Sequence, residues 1–131
     1  MNGETNIPLI LKNLNPVLNK GSYVYCLIEK LNTVQLDEPI GIFREAKGFT
    51  LILETSVADN YGFSYETIYS WITLDIHTSL NAVGLTSVIS AELAEQSITC
   101  NMVAAYYHDH IFVKQNEADA AMHALNALTR R

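Results

Sequence analysis

The spacing of apolar residues in the second half of the chain predicts a strand, a helix, two strands and a helix. Residues 68–76 alternate between two faces, as a strand does. A period of 3.6 residues through Leu85, Val88, Ile89 and Leu93 predicts a helix. The predicted elements are strands over 68–76, 98–106 and 111–114, a helix over 80–96, and a last helix capped by Asn116. This order is that of a ferredoxin-like fold whose final strand is missing or supplied from elsewhere.

The first half of the chain resembles a degenerate copy of the same order, without its opening strand. Its apolar pattern predicts a helix over 7–14, strands over 23–28, 40–44 and 49–53, and a helical turn over 58–62. We therefore predict an α+β, ferredoxin-like protein with antiparallel sheets, helices on one face, and two tandem units at residues 1–67 and 68–131.

Strand alternation also assigns the two faces of the C-terminal sheet. The apolar side chains expected to face the helices are those of Ile72, Leu74, Ile76, Ile98, Cys100, Met102, Ile111 and Val113. The far face receives a mixture of aromatic and polar residues: Trp71, Thr73, Asp75, Thr99, Asn101, Val103, His110 and Phe112. Because large aromatics are unusual on a solvated face, we expect another sheet or subunit to cover it.

Composition narrows the range of functions. The net charge of −6 and the scattered basic residues argue against nucleic acid as a partner. No apolar stretch approaches the roughly 20 residues of a membrane helix, and a signal-peptide pattern is missing, so we expect a cytoplasmic protein without membrane contact. Cys26 and Cys100 are isolated from each other in strand-like segments and read as buried apolar residues of a reducing compartment.

Three of the four histidines fall between residues 71 and 113, which raises the question of a catalytic or metal site. A metal would use His108, Asp109 and His110, with His77 as a further candidate ligand, but Asp109 points away from its neighbours on a strand. The alternative is a hairpin corner whose imidazoles bond to backbone or aromatic neighbours. Ser79 near His77 lacks the surroundings of a nucleophile and is better explained as a helix N-cap. We expect neither a metal nor another cofactor.

The same region suits a small ligand. The turn at 79–84 leads into a helix whose first N–H groups would donate hydrogen bonds to a carboxylate. Gly84 would allow a ligand or a neighbouring strand to approach. Asn101 on the adjacent strand could fix an amine or carbonyl group. The predicted ligand-binding residues are His77, Ser79, Asn81, Val83, Gly84, Leu85 and Asn101, with His108 and His110 as second-rank candidates.

At these residues the chain resembles the ACT domains, small β-α-β-β-α-β regulatory modules that commonly bind amino acids at subunit or domain interfaces. Their Gly-containing turn is similar to Val83-Gly84-Leu85, although Asn81 and Val83 stand where an Asp and a Pro are frequent. More closely, the chain resembles a bacterial family of uncharacterised ACT-domain-containing proteins. The similar stretches are 3–5, 23–26, 44–51, 71–74, 79–86 and 104–113.

The resemblance implies two tandem ACT-like units and a non-enzymatic regulatory or sensor protein. Its expected partner is a small amino-acid-like ligand bound at an interface, and its expected assembly is a homodimer. Two other hypotheses stay open at this point: a homodimeric interaction module with no ligand, and a metal-dependent enzyme that uses His108 and His110.

Overall fold

The computed structural model describes residues 6–75 and 83–130. In chain order the elements are α1 (Ile7–Asn13), β1 (Pro16–Leu18), β2 (Tyr23–Ile28), β3 (Gly41–Glu45), β4 (Gly48–Glu54), α2 (Thr55–Tyr61), β5 (Tyr69–Leu74), α3 (Leu85–Glu95), β6 (Asn101–Ala104), β7 (Asp109–Lys114) and α4 (Ala118–Leu128). They form two compact units. We call Gly21–Tyr69 the central unit, and the described residues of 1–20 and 70–131 the split unit.

The split unit contains a sheet in the order β1-β5-β7-β6. Strands β6 and β7 form an antiparallel hairpin, and β1 pairs antiparallel with β5, with Val17 opposite Thr73. The strand that the second half of the sequence lacks is therefore supplied by Pro16–Leu18, from near the start of the chain. Sequence patterning missed β1 because three residues are too few to show a period.

The core of the split unit lies between this sheet and helices α1, α3 and α4. Apolar residues of each helix occupy positions three or four apart, as a helix that buries one face requires. The core residues fully or almost fully removed from solvent include Ile10, Ile72, Leu74, Ile89, Leu93, Ile98, Ile111, Val113, Leu125 and Leu128, with Cys100 and Met102 packed against them. The residues of β5, β6 and β7 among them confirm the predicted helix-facing side of the sheet. Ile98 and Cys100 belong to the same core but precede β6, and Ile76 lies outside the described residues.

Three predictions about element ends need correction. The helix predicted over 80–96 with Ser79 as its N-cap begins at Leu85, and Gly84 takes the N-cap position because its φ of +91° lies outside the helical range. Asn116 does not cap the last helix: it lies inside a 3-10 turn over Gln115–Glu117, and Glu117 takes the N-cap position of α4. The 3-10 turn moves the N-cap one residue beyond the predicted position. Strand β6 is also shorter than predicted at both ends: it begins at Asn101 rather than Ile98, and a turn closed by the Ala105 N–H and the His108 carbonyl (3.0 Å) ends it at Ala104.

The central unit contains an antiparallel sheet in the order β3-β4-β2, with Tyr23 of β2 paired to Tyr69. The hairpin of β3 and β4 turns at Glu45–Gly48, where the sequence predicted it. Helix α2 packs on one side, and the core is Val24, Cys26, Val34, Leu51, Leu53 and Ala58. Between β2 and β3 the chain makes only a 3-10 turn over Leu31–Thr33, so this unit carries a reduced version of the first ferredoxin-like helix.

Candidate functional site

The turn into α3 is the first part of the predicted site. Gly84 occupies the N-cap position with a φ of +91°, a conformation that L-residues rarely adopt. Among the described residues no atom lies within 4 Å of a Cβ built on Gly84, so the glycine serves the backbone angle rather than a close approach by a neighbouring strand. Val83 is 85% exposed, whereas Leu85 is buried in the core. The three residues therefore have different surroundings.

The other predicted ligand-binding residues divide into two groups. His77, Ser79 and Asn81 lie outside the described residues. Asn101 is at the start of β6, opposite Phe112 of β7, and its side-chain Nδ2 donates to the Phe112 carbonyl at 3.1 Å. One donor of the Asn101 amide is thus used to hold the hairpin together.

The far face of the split-unit sheet carries a cluster around His110. The indole Nε1 of Trp71 donates to His110 Nδ1 at 3.0 Å, and the Thr73 hydroxyl lies 3.2 Å from the same nitrogen. Trp71 also stacks on Phe112, with ring centroids 6.2 Å apart and planes 15° apart. These contacts bring four of the eight predicted far-face residues together on one side of the sheet. The expectation that another sheet or subunit covers this face stays a prediction.

The indole bond fixes the protonation of His110. A nitrogen that accepts from an N–H cannot carry its own proton, so the ring is neutral with its proton on Nε2. Burial lowers the pKa of His110 below its ordinary value of 6.5, and the neighbouring His108 lowers it further. This residue is part of a hydrogen-bonded aromatic cluster, as expected of the hairpin-corner interpretation.

His108 and Asp109 occupy the end of the same hairpin. His108 Nε2 lies 3.7 Å from the Asp75 carboxylate, and the His108 and His110 rings meet edge to face with centroids 6.5 Å apart. Burial raises the pKa of the Asp109 carboxyl group, an effect that His108 opposes. Over residues 6–75 and 83–130, no three His, Cys, Asp or Glu side chains are grouped closely enough to hold a metal ion.

Stability at mildly acidic pH tests the His110 cluster. Because the folded state lowers the pKa of His110, the unfolded chain binds the proton more readily, and folding stability falls as the pH drops below about 6.5. We expect His110→Asn, whose amide oxygen can accept from Trp71 without titrating, to reduce this loss. The measurement is the urea midpoint between neutral and acidic pH, with the exposed His123→Asn as control. An unchanged pH dependence in His110→Asn would contradict the assignment.

A cavity in the central unit was missed by sequence reasoning. It has a volume of about 340 Å³ and is lined by Tyr25, Ser64, Tyr65, Glu66, Thr67 and Tyr69. The Tyr25 and Tyr69 rings meet edge to face at 5.2 Å, and burial, with a smaller contribution from Tyr69, raises the pKa of Tyr25 to about 12. The sequence feature that could have indicated it is the segment 64–69, which combines two tyrosines with polar residues. This segment shows no apolar periodicity and was therefore not considered as a site.

Sequence profiles of ACT domains match both halves of the chain, one over residues 2–70 and another over residues 66–127. The fold described above, with helices packed on antiparallel sheets in two units, is that of tandem ACT domains. The chain therefore belongs to the ACT domain family, and the ferredoxin-like prediction is confirmed. ACT domains are regulatory modules. No curated protein has a sequence that matches this chain significantly.

Solved structures agree with this assignment. A protein of unknown function from Vibrio cholerae, described as a possible transport protein, is 40% identical, with 93% of this chain and 94% of that one covered and a TM-score of 0.84. A protein from Agrobacterium tumefaciens is 13% identical over 88% of this chain and 89% of its own, with a TM-score of 0.70. An aspartokinase structure of alpha and beta subunits shares the fold at 13% identity, 89% and 98% coverage and a TM-score of 0.64.

The helices of the described residues include none that is both long and apolar enough to cross a membrane.

Proposed function

We propose that this protein is a non-enzymatic regulatory protein that binds a small amino-acid-like ligand at the start of α3. Membership of the ACT domain family supports the amino-acid class, because ACT domains generally bind amino acids. The proposed site consists of His77, Ser79, Asn81, Val83, Gly84, Leu85 and Asn101, with His108 and His110 at second rank. We further propose that the protein is cytoplasmic and homodimeric, as ACT domains often dimerise.

The observation that carries the proposal is the N-terminal end of α3. The first bond within the helix runs from the Val88 N–H to the Gly84 carbonyl (3.0 Å), so the N–H groups of Leu85, Thr86 and Ser87 have no acceptor within the helix. Gly84 is the N-cap residue and has no side chain that could accept a hydrogen bond from these N–H groups. Three N–H groups and the positive end of an 11-residue helix dipole are suited to a ligand carboxylate.

Ligand screening with a charge variant tests this site. Ser87 is exposed in the first turn of α3, so Ser87→Asp places a negative charge where the ligand carboxylate would bind. We expect one or more amino acids at millimolar concentration to raise the melting temperature, and Ser87→Asp to weaken that ligand at least about fivefold, or ~1 kcal/mol. The same change favours the helix dipole, so the unliganded protein keeps its stability.

The matched control is Ser87→Asn, which has nearly the same shape without the charge and should bind normally. If no amino acid stabilises the protein, the regulatory ligand proposal fails. If an amino acid binds equally well to Ser87→Asp and wild type, the ligand site lies elsewhere. Sedimentation measurements test the homodimer separately, and a monomer at all concentrations would contradict it.

A further inference from the structure

The cavity of the central unit has no part in the site proposed at α3, and its lining has a distinct chemistry. Three of the six lining residues are tyrosines, Ser64 and Thr67 contribute hydroxyl groups, and Glu66 contributes a carboxylate. None of the six carries a positive charge. Its volume of about 340 Å³ lies at the lower end of the range for small-molecule sites, roughly 300–1,000 Å³.

Charge around the cavity strengthens its negative character. The Tyr65 hydroxyl donates to the Asp59 carboxylate at 2.9 Å, so a second carboxylate is bonded to a lining residue. An anionic ligand would have to approach Glu66 without a compensating cation in the lining. The lining therefore disfavours carboxylates and phosphates and favours positive charge.

Tyrosine rings provide the second component of a cation site. A ring carries negative potential on its faces, and an organic cation within about 6 Å of a ring centroid is attracted to it. The Tyr25 phenol is neutral at physiological pH, as an ordinary tyrosine is, so that ring acts through its π system and hydroxyl rather than as a phenolate. Several rings beside one carboxylate are the arrangement by which proteins bind amines and quaternary ammonium groups.

We propose that the cavity lined by Tyr25, Ser64, Tyr65, Glu66, Thr67 and Tyr69 binds a small organic cation, an amine or quaternary ammonium compound. The rings surround the cation, Glu66 supplies the opposite charge, and the hydroxyls of Ser64 and Thr67 accept or donate to a polar group beside it. This site is independent of the α3 site, since it lies in the other unit and takes a ligand without a carboxylate.

Titration with tetramethylammonium and choline chlorides tests the proposal, with sodium chloride at equal ionic strength as the reference. Two-dimensional NMR of the full chain follows binding through the signals of residues 64–69. We expect saturable shifts with both cations, and a loss of affinity of about tenfold in Glu66→Gln, the equivalent of ~1.4 kcal/mol. Because Glu66 is exposed, this variant should fold normally.

Matched variants separate the site from general electrostatics. Glu29→Gln removes the same charge from an exposed position outside the lining and should leave affinity unchanged. Tyr69→Phe keeps the ring and should bind, whereas Tyr69→Leu should bind more weakly. Unsaturable shifts equal to those with sodium chloride would overturn the proposal, as would wild-type affinity in Glu66→Gln. Ethanolamine and serine, which differ by the carboxylate of serine, are then compared as competitors of choline. Equal competition by the two would overturn the assignment of the site to organic cations.

Discussion

Gly48→Ala is expected to destabilise the central unit by about 3 kcal/mol or more, a large fraction of the roughly 5–15 kcal/mol by which a typical domain is stable. Gly48 opens β4 with a φ of +143°, where an L-residue is strained. A Cβ built on it would also lie 2.4 Å from the Ile28 carbonyl oxygen and 3.2 Å from its carbon. Both atoms belong to the backbone of β2, which pairs with β4, so they cannot move aside as a flexible side chain could.

Gly62→Ala is the control for Gly48→Ala. Gly62 ends α2 with a φ of +73°, but in the described structure no atom lies within 4 Å of its added Cβ. Gly62→Ala should therefore lower the free energy of unfolding by roughly 1 kcal/mol, the cost of the left-handed conformation alone. Urea unfolding followed by circular dichroism gives both values. Equal losses in the two variants would show that the contact with Ile28 does not matter.

Val17→Pro is expected to cost about 3 kcal/mol by detaching β1 from β5. Backbone bonds join Asp75 to Asn15 and Asn19 to Trp71, each at 2.9 Å. In an antiparallel ladder the bonded pairs alternate, so the Val17–Thr73 pair midway between them is also a bonded pair. A proline at position 17 removes the N–H that this pair needs.

Leu18→Pro provides a control one residue further along. Leu18 lies opposite Ile72 in a pair that exchanges no ladder bonds, so its N–H points away from β5. The side chains of Val17 and Leu18 are similarly exposed, at 38% and 40%, so loss of packing is comparable. We expect Leu18→Pro to cost less than half as much in urea unfolding. If both prolines are tolerated equally, β1 does not stabilise the split unit.

Periodicity predicted the fold wherever an element was long enough to show its period. Strand β2 was predicted at its observed bounds, and the helix-facing positions of β5 and β7 were correct, because alternate side chains of a strand must point to opposite faces. Strand β1 was missed because Pro16–Leu18 has no period and pairs with residues more than fifty positions away. Asn116 has the residue type of a cap, but the 3-10 turn around it could not be read from local preference.

In the candidate sites, too, local patterns did not predict contacts between residues that are far apart in the sequence. The residue types at 79–84 indicated a turn into a helix, whereas the positive φ of Gly84 at the N-cap position was seen only in the structure. The hairpin-corner interpretation of His110 did not identify its hydrogen-bond partner, because Trp71 is 39 residues away in sequence. The cavity of the central unit depends on Tyr25 meeting the segment 64–69. Nothing in the spacing of these residues indicates that they line one cavity.

By itself the sequence determined the class of fold, the faces of the longer elements and the acidic character that disfavours nucleic acid, because these follow from local period and composition. The tertiary structure was needed to show which strand completes the split unit, which nitrogen of His110 carries the proton, and where a cavity forms. Those features depend on contacts between residues far apart in the chain, and the free energy of such contacts is set by the packing of the whole unit rather than by any local pattern.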